Sequence, residues 1–372
     1  MSKLIHRCTI LTTAALALAG GPQLSGADQA TAARLKKRNE AYREQLEQYF
    51  RKLLVTDYPQ RAAQAWRRSY ASPEAFLRSV APNRARYRKM FSPPALYPTG
   101  PVERARSDLV PEAEWIRVPL GPLTAEALLA VPKNAKGPAP LVIAQHGIGS
   151  TPERVFGVGD EPNLYHDYGH ALLEAGFAVL APFNLAGVQP RNRIERLARL
   201  GDTTLPGIEL VRLQALLDVV LADPRIDRER VGMWGISLGG MATMFWMPLE
   251  PRIGCGVVSA WFNHRRNKMV IPDERYSCFL ETKEEHAFFR GWLTEFTDSD
   301  AVSLICPRPL LIQTGKKDRI AWWPQVVEEF RAAREHYVRL GLGDRIQMDL
   351  HEGGHEVRLE TGVAFLRKWL KP

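Results

Sequence analysis

The stretch Val231-Gly232-Met233-Trp234-Gly235-Ile236-Ser237-Leu238-Gly239 decides how this chain of 372 residues is read. A short apolar run, Val231–Trp234, predicts a strand. Gly235-Ile236-Ser237-Leu238-Gly239 then forms a G-x-S-x-G, and the small residues after it open a helix over Leu238–Met247. A strand, a sharp turn and a helix in immediate succession lift the serine oxygen clear of a sheet. Glycines on both sides of the serine let neighbouring backbone pass without a clash.

Working outward, the chain alternates between two periods. Strand-like runs lie at Glu114–Pro119, Ala125–Val131, Leu141–Gln145, Ala178–Ala181, Gly254–Ser259, Leu310–Gln313 and Ile346–Leu350. Helix-like runs lie near Tyr165–Ala175, Ile208–Ala222, Gln325–Leu340 and Leu359–Trp369. The first two strand runs read as an antiparallel hairpin. The remaining strands are near-continuous apolar runs separated by helices, which predicts an α/β class with a mostly parallel central sheet covered on both faces.

A serine hydroxyl needs a hydrogen-bonded base, itself oriented by a third group, before it can attack a carbonyl. The loop after Leu310–Gln313 offers Asp318, and the loop after Ile346–Leu350 offers His355 on a glycine-loosened segment, Gly353-Gly354-His355. His351 ends the last strand and is the rival base. Asp298 and Asp300 precede a strand and read as helix or loop caps, and Glu356 as a cap of the last helix or a buttress of its loop. An oxyanion developing on the substrate needs backbone N–H groups. Leu238, at the helix N-terminus, supplies one; the loop His146-Gly147-Ile148-Gly149 supplies the other, from Ile148 or, next to it, Gly147. His146 itself reads as structural.

These residues, in the order serine, acid, histidine, resemble the α/β-hydrolase superfamily over about residues 111–372. Within it the chain is similar to the dienelactone hydrolase-like and acetyl xylan esterase-like branch, which borders the prolyl-oligopeptidase-type peptidases. It departs from true dienelactone hydrolases, which carry cysteine where Ser237 stands, and it lacks the GCSRxG turn of glucuronoyl esterases. The resemblance implies an α/β-hydrolase fold and ester hydrolysis through an acyl-enzyme, with acyl esters of carbohydrates as one substrate class. It implies no metal and no cofactor. The alternatives are a serine peptidase acting on small peptides and a non-catalytic binding protein on the same scaffold. In this fold Asn184, Trp261, Phe262, Trp322 and Trp323 fall near strand ends and would line the substrate pocket.

Two insertions are expected over the mouth of the site. Leu185–Leu205 carries Arg191, Arg193, Arg196 and Arg199, and reads as a solvated helix face. Phe262–Ser303 carries Tyr276, Phe279, Phe288, Phe289, Trp292 and Phe296, and reads as a cap packed by its own aromatics.

Before residue 111 the character changes. Met1–Ala27 has a basic start (Lys3, Arg7) and an uncharged run, Cys8–Ala19, and reads as a signal peptide cleaved after Ala19 or Ala27, hence export to the periplasm or beyond. Residues 28–110 form a helical extension from about Ala33 to Met90, then a proline-punctuated connector. The extension's apolar stripe (Tyr42, Leu46, Tyr49, Phe50, Leu53, Leu54) needs a partner surface, most simply the catalytic domain. The net charge of +9 resides here: residues 28–110 hold 17 Lys/Arg against 8 Asp/Glu, while residues 111–372 hold 31 against 33. No zinc-finger spacing, RNP-like sequence or continuous basic region accompanies that charge, so no nucleic-acid partner is expected. No apolar run is long enough for a membrane span. The remaining cysteines, Cys255, Cys278 and Cys306, match no metal spacing.

Overall fold

The computed structural model describes residues 26–371. The signal-peptide reading lies almost wholly outside them. The described residues divide into two units, 26–50 and 51–371. In the first, α1 (Gly26–Arg51) contains no buried residue and carries i,i+4 pairs such as Arg43–Glu47 at 2.7 Å. Tyr42 and Tyr49, read as part of an apolar stripe, are exposed.

The second unit opens with a single π-helical turn, Lys52–Thr56, then α2 (Tyr58–Ala65) and α3 (Pro73–Phe91). The helical extension expected from about Ala33 to Met90 is therefore built of several helices. Pro59 and Pro73 stand in the first turns of α2 and α3, where a missing N–H is tolerated, and each marks a new helix start. The strands are β1 (Glu103–Arg106), β2 (Ala113–Leu120), β3 (Leu123–Ala130), β4 (Ala139–Gln145), β5 (Ala178–Pro182), β6 (Ile226–Ile236), β7 (Cys255–Ser259), β8 (Leu310–Gly315) and β9 (Ile346–His351). Between β4 and β7 lie α4 (Tyr168–Glu174), α5 (Val188–Leu200), α6 (Leu205–Val220) and α7 (Leu238–Trp246). Beyond β7 come α8 (Arg265–Val270), α9 (Trp292–Glu295), α10 (Asp298–Ile305), α11 (Trp323–Val338) and α12 (Leu359–Leu370).

One sheet of nine strands has the order β1-β2-β3-β5-β4-β6-β7-β8-β9. β2 and β3 form the expected hairpin, β3 pairs antiparallel with β5, and every pair from β5 to β9 is parallel. Two apolar layers cover the sheet. One includes Leu141, Ile143, Met233 and Phe245, the other Val142, Trp234, Val257 and Phe365. Alternate residues of β4 thus enter opposite layers, which is why the central strands read as unbroken apolar runs.

The 51–110 segment packs within this unit. Tyr58 Oη donates to Asp300 at 2.5 Å, Trp66 Nε1 to the Glu295 carbonyl at 2.7 Å, and Arg86 pairs with Glu295 at 2.5 Å. Its partner surface is the region around α9 and α10. The cap packs through its own aromatics only in part: Phe289 and Trp292 lie 5.4 Å apart, but both also contact Phe245 of α7, and Phe296 packs on Trp66 and Tyr87. Cys255, Cys278 and Cys306 are free and buried.

Candidate active site

The parallel register determines what meets what. Gln145, the last residue of β4, stands opposite Gly235 of β6, so the loop after β4 lies beside the turn after β6. Gly315 of β8 stands opposite His351 of β9, which places the last two loops side by side at the same edge. Ligands in open α/β sheets gather at these carboxyl ends of the strands.

Ser237 occupies the tight turn between β6 and α7 with φ 57° and ψ −117°, a strained conformation for a residue with a side chain. The flanking glycines are obligatory. A side-chain carbon at Gly239 would lie 2.1 Å from the Gln145 carbonyl oxygen, and one at Gly235 2.1 Å from that of Gly239. The turn is compressed against β4, and only hydrogen atoms fit in the gap.

Asp318 and His355 are brought together. His355 Nδ1 lies 2.9 Å from Asp318 Oδ2, and the other carboxylate oxygen accepts from the Ile320 N–H at 2.9 Å. The Nδ1–H is committed to the carboxylate, which leaves Nε2 as the ring nitrogen available to accept a proton. Ser237, Asp318 and His355 line one cavity of about 220 Å³, along with Ile148, Trp261 and Phe262. His351 is directed elsewhere: its Nδ1 accepts from Gly353 N–H at 3.2 Å and its Nε2 is buried without a partner. Glu356 accepts from Gly354 N–H and pairs with His166 Nε2 at 2.8 Å, so it buttresses the histidine loop.

The loop after β4 is tied down by three bonds. His146 is buried, and burial pushes its pKa down to about 4, so the ring is neutral at pH 7. It can therefore donate from Nδ1 to the Gly147 carbonyl (2.8 Å) while Nε2 accepts from the Asn184 N–H (3.2 Å). The Gly147 N–H donates to the Tyr165 hydroxyl at 2.8 Å. That amide is thus already engaged, and Ile148 is the residue of the loop that lines the cavity. Leu238 is the first residue of α7, so its N–H has no intrahelical acceptor.

The other expected pocket residues divide. Trp261 and Phe262 line the cavity; Asn184, Trp322 and Trp323 are not among its lining residues. Asn184 is buried behind the β4 loop, and Trp322 lies under the Arg275 guanidinium, 3.7 Å from its centre. The arginines of α5 do not reach the cavity either. Arg191 is fully buried against Glu209, and Arg196 and Arg199 fasten α5 to Glu285 of the cap.

Sequence reasoning missed the polar floor of the cavity, which includes Arg265, Lys268, Ser277 and Glu284. Asp298 is not a cap: its carboxylate holds Arg265 through two bonds of 2.8 Å, with neither side chain exposed, and Asp300 forms the capping box with Thr297. Lys268 and Glu284 have their pKa values shifted by burial, down to about 8 for the lysine and upward for the glutamate. A larger groove of about 640 Å³ lies between α3 and α10, but its lining (Leu77, Arg84, Leu249 and Leu304 among others) contains no nucleophile paired with a base.

Comparison with known proteins accords with this fold. A solved structure described as a "putative acetyl xylan esterase" from Bacteroides fragilis superposes with TM-score 0.61 at 16% identity, covering 80% of this chain and 81% of its own. A CE15 glucuronoyl esterase from Teredinibacter turnerae gives TM-score 0.61 at 16% identity over 80% and 86%. The fold is that of the α/β-hydrolases. In sequence, the chain is 25% identical over 257 residues to "Putative hydrolase YtaP" of Bacillus subtilis, covering 66% of this chain and 84% of that protein. No family model matches.

Proposed function

We propose that this protein is a serine-dependent carboxylic ester hydrolase. The observation that carries the reading is the convergence, in one cavity, of a serine on a strained positive-φ turn and a histidine whose Nδ1 is held by a carboxylate. Ser237 Oγ attacks the ester carbonyl and its proton passes to His355 Nε2. Asp318 keeps the ring in the required tautomer and stabilises the imidazolium. The amides of Leu238 and Ile148 receive the negative charge on the carbonyl oxygen; the Gly147 amide, bonded to Tyr165, acts by holding the loop. His355 then protonates the departing alcohol, and water repeats the sequence on the acyl-enzyme. None of these steps requires a cofactor.

The substrate class is the acyl esters of carbohydrates. It is supported by the names of the two solved neighbours, an acetyl xylan esterase and a glucuronoyl esterase, and by a cavity lining that combines the aromatic residues Trp261 and Phe279 with a polar floor. The domain reading follows: residues 1–27 a signal peptide for export, 28–110 an extension and 111–372 the catalytic domain. Hydrolysis of p-nitrophenyl acetate and acetylated xylan, with wild type and Ser237→Ala, tests the mechanism. The expected result is a loss of about 10⁴-fold or more in the variant; equal rates would remove it.

A further inference from the structure

Lys268, on α8, is buried to 4% of its free exposure in the floor of the Ser237 cavity. Its ammonium forms no ion pair with any carboxylate of the described residues, an expensive arrangement unless hydrogen bonds satisfy it. Here they do. Nζ donates to the Ser277 hydroxyl at 2.7 Å, to the Ser277 carbonyl, and to the Ile320 carbonyl at 2.6 Å. Three protons meet three acceptors, so no donor remains for a substrate.

The acceptors belong to two different parts of the cavity wall. Ser277 lies in the cap, and Ile320 lies two residues beyond Asp318. Ile320 is gripped on both sides, its carbonyl by Lys268 and its N–H by Asp318 Oδ1. Asp318 Oδ2 in turn holds His355 Nδ1. A continuous chain of hydrogen bonds therefore runs from the cap through Lys268 and Ile320 to the acid and the histidine. A buried methionine or leucine would fill the same space at lower cost, so packing alone does not account for a lysine here.

Resting on the proposed Ser237 site, we infer that Lys268 is a positioning residue: its ammonium clamps the cap at Ser277 to the acid loop at Ile320 and so holds Asp318 in register with His355. The charged and titratable groups facing it are Arg265 of its own helix, Cys278 and Glu284 of the cap, and Asp318 of the acid loop. Burial and Arg265 push its pKa down to about 8, opposed by Glu284 and Asp318. As pH rises through that value the ammonium becomes an amine with two protons, and one of the three bonds is lost.

The test is a double-mutant cycle on the full chain with p-nitrophenyl acetate, using wild type, Lys268→Met, Asp318→Asn and the double variant. Lys268→Met is expected to lower kcat about 10- to 100-fold, as a misplaced catalytic group does, with KM changed less than about threefold. In the Asp318→Asn background the same change is expected to cost less than about threefold, because the carboxylate it positions is gone. Equal fold losses in both backgrounds, or an unchanged kcat in Lys268→Met, would overturn the clamp. A second readout needs no variant: wild-type kcat is expected to fall above about pH 8, and a level rate from pH 7.5 to 10 overturns the inference even where Lys268→Met does not fold. Wild type and Ser237→Ala at equal rates would remove the site reading and this inference together. A Ser237-dependent rate indifferent to Lys268 removes this inference alone.

Discussion

Two aspartates flank β8, and replacing each by asparagine is expected to damage the protein in opposite ways. Asp298 and Arg265 are both fully buried, joined by two bonds of 2.8 Å, and Asp298 Oδ2 also accepts from the Asn263 N–H at 2.8 Å. Asp298→Asn leaves the guanidinium charge in the interior without its counter-charge and turns an amide NH₂ toward one of the donors. Breaking a buried pair in this way costs about 3–5 kcal/mol, a large share of the roughly 5–15 kcal/mol that holds a folded protein together. Asp318→Asn keeps a carbonyl oxygen for one of the two donors that Asp318 serves, Ile320 N–H and His355 Nδ1–H. Its expected stability cost is about 1 kcal/mol. Its expected kinetic cost is about 10⁴-fold in kcat, because an amide neither stabilises the imidazolium nor enforces the tautomer. Urea unfolding followed by tryptophan fluorescence, and kcat on p-nitrophenyl acetate at pH 7, separate the two effects. Folded Asp298→Asn is expected to retain kcat within about tenfold. If Asp298→Asn unfolds within about 1 kcal/mol of wild type and loses activity while Asp318→Asn keeps it, the acid has been misassigned.

Gly239→Ala drives a carbon to 2.1 Å from the Gln145 carbonyl oxygen and 3.0 Å from that of His146, both backbone atoms, whereas Gly254→Ala meets only the Val231 carbonyl at 3.4 Å. The first is expected to cost about 1–3 kcal/mol or more and to slow fluorophosphonate labelling of Ser237, the second close to nothing in either; equal behaviour of the two would refute the close approach. Glu329 is buried and desolvation raises its pKa to about 7, so between about pH 4.5 and 7 the native state keeps a proton that the unfolded chain has released. Stability therefore falls as pH rises through that window, and Glu329→Gln, which has no proton to lose, is expected to gain on wild type from pH 4.5 to 7 and then level off. A stability difference that does not change over this range sinks the account.

What could be read from sequence alone was whatever leaves a residue-type signature. β4 is buried throughout, and its run Leu141-Val142-Ile143-Ala144 follows from contact with two apolar layers. Gly235 and Gly239 are visible because no other residue fits against the neighbouring backbone. Asp318 and His355 could be nominated because each follows a legible strand. β1 is different: Glu103, Arg104, Ala105 and Arg106 are all exposed at the sheet edge, so no face is selected for apolar residues and no alternation appears. The Lys268 clamp escaped for another reason. Two of its three acceptors are main-chain carbonyl oxygens, which every residue type supplies, and the third is the hydroxyl of one serine among many, so little in the sequence announces them. The same holds for the Gly147 and Asn184 amides that fix the β4 loop. Residues that act on substrate must have particular side chains, whereas residues that position them can work through the backbone; a sequence therefore exposes the reacting groups of such a site more readily than the frame that holds them.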